Sequence, residues 1–263
     1  MRKGKIMKTN PYKPFELPAA KPSKGLAVLA LALTLATTTA LAQRGVLPPT
    51  ATPYGRSYTT WSEAHWQWLF AQSADHHPLA MDGNVDLSLG QPAGHVWFLG
   101  GTFAITTVGT TNFGIAHRTG TIPAGTALFF PLIDSEDSVA EEKAGIGCYP
   151  AGTCTSETCL RNCVEGLLSN VTGVFCTIDG VPVANLQNYQ FISSLFTWGP
   201  LPANNLFGDP TNFPAGLTTQ AVSDGFFVMV APLSAGSHTI HFGGTISGSP
   251  TFVQDITYHI TVN

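Results

Sequence analysis

Several groups of residues in this chain are of types that do chemistry. Asp134, Glu136 and Asp137, continued by Glu141 and Glu142, form a short acidic run. Alternating carboxylates of this kind gather oxygen ligands for a hard cation such as calcium, although the run lacks the spacing and glycine of an EF-hand loop. The plain alternative is a solvated loop that keeps the end of a sheet soluble. The chain also has 8 histidines. His238 and His241 are three apart in a strand-like segment, so they project to opposite faces and cannot chelate one ion. His241 and His259 share a polar face if their strands pair in the right register. With Asp134 and Glu136 they make a candidate site for a divalent metal. The alternative is ordinary polar-face histidine between threonines.

A second constellation is Glu63, Trp66 and Phe70, with His76, His77 and Asp82 just beyond. Flat rings beside a carboxylate can hold a sugar, the ring stacking on its C–H face while the acid accepts from hydroxyls. Glu63 and Asp82 facing each other across a cleft would serve as general acid and base. Tryptophans at helical spacing also make a simple core stripe. Five cysteines crowd between positions 148 and 176. In an oxidising compartment they read as staples for a loop insert without its own core. Cys159 and Cys163 lie one helical turn apart, so each is expected to bond outward to Cys148 or Cys154, leaving Cys176 as a buried thiol. The spacing lacks the CxxC knuckle of a zinc site. No nucleophile elbow, P-loop, dinucleotide fingerprint or HExxH motif is present, so no catalytic residue is assigned.

These groups must be positioned by short elements. Thr60-Trp61-Ser62-Glu63 reads as a capping box opening a helix over 61–72, with Trp61, Ala64, His65, Trp68 and Leu69 inward. Trp66 and Phe70 then form either a second covered side or an exposed apolar ledge. From Gly94 the pattern changes to strands: 95–99, 103–108, 113–118 and 126–133. Ala127-Leu128-Phe129-Phe130 lacks alternation, as a strand covered on both faces does. Pro131 predicts a bulge or an end of pairing. Residues 134–170 read as an acidic and Cys-rich insert holding a short helix over 157–169. Asp179-Gly180 predicts a type I′ hairpin between 174–178 and 181–183. Strands over 226–231, 237–242 and 252–262 close the chain, the last with Ile256, Tyr258, Ile260 and Val262 inward. Close strand spacing without βαβ alternation predicts a mainly β chain: one antiparallel sandwich or jelly roll over 59–263, with an N-terminal helix and a Cys-rich helical insert.

Residues 1–42 read as a signal peptide: a basic n-region, an apolar stretch from Leu26 to Leu35, and Ala40-Leu41-Ala42 before a cut at Gln43. Residues 43–58 follow as a Pro/Gly-rich extended tether. Seven of the 12 basic residues but only Glu16 of the 16 acidic ones lie before residue 43, leaving a formal charge of −10 beyond it. Such a balance argues against electrostatic binding of nucleic acid or anionic membrane. The 44% apolar content gives ample material for a core, while 27 Gly and 19 Pro break the chain too often for a helical bundle.

The segments TTWSEAHWQWLF (59–70), HPLAMDGN (77–84), GHVWFLGGTF (94–103), RTGTIPAGTALFFPLIDSED (118–137) and SDGFFVMVAPLSAGSHTIHFGG (223–244) together resemble a group of uncharacterised, mainly bacterial secreted proteins. TIDGVPVANL (177–186) and QDITYHITV (254–262) extend the resemblance over most of the exported chain. It implies a Trp-rich helix followed by β-structure, Asn in relatives at the position of Asp134, and a Cys-rich insert peculiar to this chain. It carries no activity. The expectation is therefore a secreted or periplasmic, non-enzymatic β-sandwich that binds a glycan or a cell-surface protein. The competing expectation is a metal-dependent extracytoplasmic hydrolase using the His/carboxylate set.

Overall fold

A computed structural model describes residues 45–103 and 105–263. The signal peptide expected over 1–42 and its cut before Gln43 lie outside the described residues. The strands are β1 (Gly83–Asn84), β2 (Val96–Phe98), β3 (Ile105–Val108), β4 (Thr111–Ile122), β5 (Ala127–Ser138) and β6 (Val171–Ile178). They continue with β7 (Val181–Pro182), β8 (Gln190–Ile192), β9 (Phe196–Trp198), β10 (Thr219–Val230), β11 (Gly236–Ile246) and β12 (Thr251–Val262). The helices are α1 (Tyr58–Phe70), α2 (Val139–Ala144) and α3 (Glu157–Leu168).

Two sheets form the sandwich. A seven-stranded sheet runs β1-β4-β12-β11-β6-β7 with β3 also on β4, and a five-stranded sheet runs β2-β5-β10-β8 with β9 also on β10. The sheets are mixed rather than antiparallel throughout. β12 pairs β4 in parallel from Thr251↔Thr111 to Val262↔Ile122, and β2 pairs β5 in parallel. Alternation in a strand reports which face is buried, not the direction of its neighbour, so the parallel pairings were not readable from the pattern.

Phe130 meets Phe242 at 4.6 Å between ring centroids, which joins the two inner faces. α1 covers the opposite face of the five-stranded sheet, where Tyr58 and His65 pack on Phe129 at 5.9 and 6.3 Å. The five-stranded sheet is thus the middle layer. This is why Ala127–Ile133 are buried without alternation, as expected for a doubly covered strand. The expected irregularity at Pro131 is a bulge: Phe226 opposes Ile133 and Phe227 opposes Pro131, leaving Leu132 extra. β12 alternates as read, with Ile256, Tyr258, Ile260 and Val262 buried.

Several boundaries differ from expectation: β4, β10 and β11 are longer than read, and three further differences bear on the site. α1 begins one turn early because Ser57, not Thr60, caps it, its side chain accepting from Thr60 N. Val46 bridges Val230, and Leu47 N donates to Met229 O at 2.8 Å, so the first part of the expected tether docks along β10. β5 runs on to Ser138, so the acidic run begins as strand rather than as insert.

The Cys-rich segment folds as expected, with bonds Cys148–Cys163 and Cys154–Cys159 and a buried free Cys176. Asp179 (φ 52°) and Gly180 (φ 75°) form the predicted hairpin turn. Among the described residues no helix is long and apolar enough to cross a membrane.

Candidate functional site

β5 carries its carboxylates into the sheet because β10 pairs it throughout, with Gly225 opposite Asp134 and Ser223 opposite Glu136. Asp134 points to the α1 side. There it lines a cavity of about 60 Å³ together with His65, Trp66, Phe103 and Gln254. His65 is fully buried and its Nε2–H donates to Leu99 O at 3.0 Å. Burial pushes its pKa down to about 4, so the ring is neutral and Nδ1 holds a free lone pair. That Nδ1, Trp66 Nε1 and Asp134 Oδ2 are all buried without a hydrogen-bond partner. Asp134 keeps some solvent contact elsewhere, but desolvation pushes its carboxyl up to about 8.

The cavity wall is held from behind by Arg118 of β4. Its buried guanidinium donates to Met81 O, Gly100 O and Gly101 O at 2.8 Å each. Those bonds fix the backbone that also supplies Leu99 O to His65.

Two carboxyl pairs follow. Glu136 accepts from Trp198 Nε1 at 2.7 Å, and its pKa is raised by burial and by neighbouring Glu141. Glu141 closes a capping box on α2, accepting from Ser138 Oγ at 2.6 Å. On the other face of β5, Asp137 is pushed up to about 8 by burial and by Glu142. Glu142 Oε1 accepts from Cys148 N at 2.7 Å and Tyr149 N at 3.3 Å, anchoring the disulfide loop. Gly147 passes so close to Glu142 and Asp137 that a Cβ there would collide with both. The ligand-type atoms of Asp137, Glu142, Cys148 and Cys163 lie within 4.8 Å of one another. The two sulfurs are bonded to each other, which removes the thiolates and leaves two carboxyls under a backbone lid.

The metal set expected from sequence does not assemble. Asp134 and Glu136 belong to the middle layer, whereas His241 and His259 project from the outer face of the seven-stranded sheet. There His241 Nε2 pairs with Asp255 Oδ1 at 2.7 Å, and His259 Nδ1 lies 3.2 Å from Thr239 Oγ1. The two histidines do share a face, as expected; the carboxylates are on the far side of a packed core. The acidic run is likewise no solvated loop.

Of the two alternatives for Trp66 and Phe70, the structure has the second covered side and not the exposed ledge. Phe70 packs on Trp198 at 4.3 Å and on Phe207 at 5.6 Å, so β9 and the loop after it cover this flank. Trp66 stacks on Phe70 at 5.6 Å and is 7% exposed. Glu63 accepts from Ser194 N at 3.2 Å instead of facing Asp82, which accepts from His117 N at 2.7 Å.

The opposite flank of α1 is open. A groove of about 520 Å³ runs between α1, the arm before it and residues 90–98. Trp61, Gln67 and Trp68 line it from the helix, Gln72 from just past its end, Tyr54 and Arg56 from the arm, and His95 from the far wall. The Arg56 guanidinium lies 5.0 Å from the centroid of the Trp61 ring. Tyr54 is 47% exposed, adopts φ 53° and stacks on His95 at 6.3 Å. A left-handed tyrosine is uncommon and marks a backbone held by its surroundings. Among the described residues no carboxylate lines this groove. Sequence reasoning missed it because Tyr54 and Arg56 fell in the expected tether. The signal was the pairing of an aromatic and a cation before the helix with a Gly/Pro-rich segment at 90–94.

No protein-family model, no curated protein and no solved structure matches the chain.

Proposed function

We propose that this chain is an exported, ligand-binding β-sandwich whose ligand is a glycan seated in the groove beside α1. Its place in the secreted group that the quoted segments resemble belongs to the same reading. The observation that carries it is a groove of about 520 Å³, within the usual range for ligand sites, combining aromatic rings, two amides, a guanidinium and an imidazole. Aromatic rings take the C–H face of a pyranose on their own faces, while amide and guanidinium groups bond its hydroxyls. A wall free of carboxylate tolerates uronic as well as neutral sugars. Export is supported by the basic, then apolar, then small-residue pattern at the N-terminus and by two disulfides, which persist in oxidising compartments. The acidic balance beyond residue 42 speaks against nucleic acid as the partner.

A glycan microarray followed by calorimetry on the purified protein tests this. Saturable binding is expected, weakened about tenfold by either Tyr54→Ala or Arg56→Ala. A silent array, or binding that survives both substitutions, overturns it.

A further inference from the structure

The cavity on the other flank of α1 carries a separate demand. His65 Nδ1 needs a donor, Trp66 Nε1–H needs an acceptor, and Asp134 Oδ2 needs either. Buried polar groups left unmet are costly, and the three residues that carry these all line one space of about 60 Å³. At roughly 15 Å³ per water, that space holds about four water-sized groups. Leu69, Leu79, Pro131 and Phe252 give the wall its apolar part, Thr102 and Gln254 also line it with donors engaged by Leu79 O and Leu132 O, and the 56% exposed ring of Phe103 stands at the edge.

We infer that this cavity is a binding site for a small uncharged head group that both donates and accepts hydrogen bonds, namely a primary carboxamide. One amide N–H meets His65 Nδ1, the carbonyl meets Trp66 Nε1–H, and the second N–H meets Asp134. A carboxylate offers His65 no proton and stands beside an acidic side chain. An ammonium leaves the indole N–H unmet. Arg118 is spent on three carbonyls behind the wall, so among the described residues no free cation lines the cavity to hold an anion. This site is on the opposite side of α1 from the groove, so its fate is independent of glycan binding.

The test follows the Trp66 indole N–H in a nitrogen-labelled sample of the protein, its resonance assigned by its loss in Trp66→Phe. Acetamide, with four heavy atoms, is titrated to about 0.1 M, since so small a ligand binds at best in the tens of micromolar. A saturable shift is expected with acetamide and none with acetate or methylammonium. Asp134→Leu, which fills the space and removes the carboxyl, is expected to weaken binding about tenfold or more. Trp66→Phe keeps the stack on Phe70 and is expected to weaken it similarly, read on the acetamide methyl signal. No saturable shift, an equal response to the charged probes, or a resonance that exchanges only with water overturns the assignment. Unchanged affinity in both variants does so as well.

Discussion

His65 and Asp134 depart from their ordinary titration in opposite directions for one reason: each is more easily kept uncharged than hydrated. The consequences for stability have opposite signs. Asp134 and Asp137, pushed up to about 8, hold protons in the folded state that the unfolded chain has released. Their contribution is complete below the ordinary carboxylate value and is lost as pH rises towards 8. His65 and His77, pushed down to about 4, contribute fully above 6.5 and lose that contribution as pH falls towards 4. Between pH 6.5 and 8 only the carboxyl effect among these acts, so the melting temperature is expected to fall across that window. Asp137→Asn is expected to flatten the fall; an unchanged slope would show that the Asp137–Glu142 pair is not its source. None of this was readable locally. Asp-Ser-Glu-Asp is ordinary loop chemistry, and only the pairing with β10 takes it into a covered strand.

At the scale of elements, the disulfide insert shows what local spacing can decide. Cys159 and Cys163 are a turn apart on α3, so both had to bond outward, and they do. The Cys148–Cys163 bond closes a 15-residue separation around the segment that donates two N–H groups to Glu142. Replacing both cysteines with Ser is expected to lower stability by about 3 kcal/mol, read by denaturant unfolding. α1 shows the complementary limit. Its helical period placed Trp61, His65 and Leu69 on one stripe, and they are buried. It could not say which flank would be roofed. Trp66 and Phe70 are covered by residues more than a hundred positions away, while the Trp61–Trp68 flank borders the groove.

For the whole molecule, stability rests on a middle sheet covered twice, by α1 and by the seven-stranded sheet. Phe130 is the point where the sheets meet, with no solvent exposure and its ring 4.6 Å from Phe242. Phe130→Ala is expected to cost about 3–5 kcal/mol and to lower the denaturant midpoint without changing the slope of the transition. A cost below 1 kcal/mol would mean that the layers do not share this core. The separation of layers also explains why the His/carboxylate set dissolved: two histidines and two carboxylates on opposite sides of a packed body cannot close on an ion.

Taken alone, the residue order determined the mainly β class, the doubly covered run at 127–130, an irregularity at Pro131, the Asp-Gly hairpin and the outward bonding of Cys159 and Cys163, but not which of Cys148 and Cys154 each would take. Each of these depends on a period or a turn within reach of a few neighbours. Tertiary structure decided the parallel pairings, the burial of the acidic run, the closing of one flank of α1 and the opening of the other. A period fixes which side a residue takes on its own element. What then covers that side is set by chain that returns from far away.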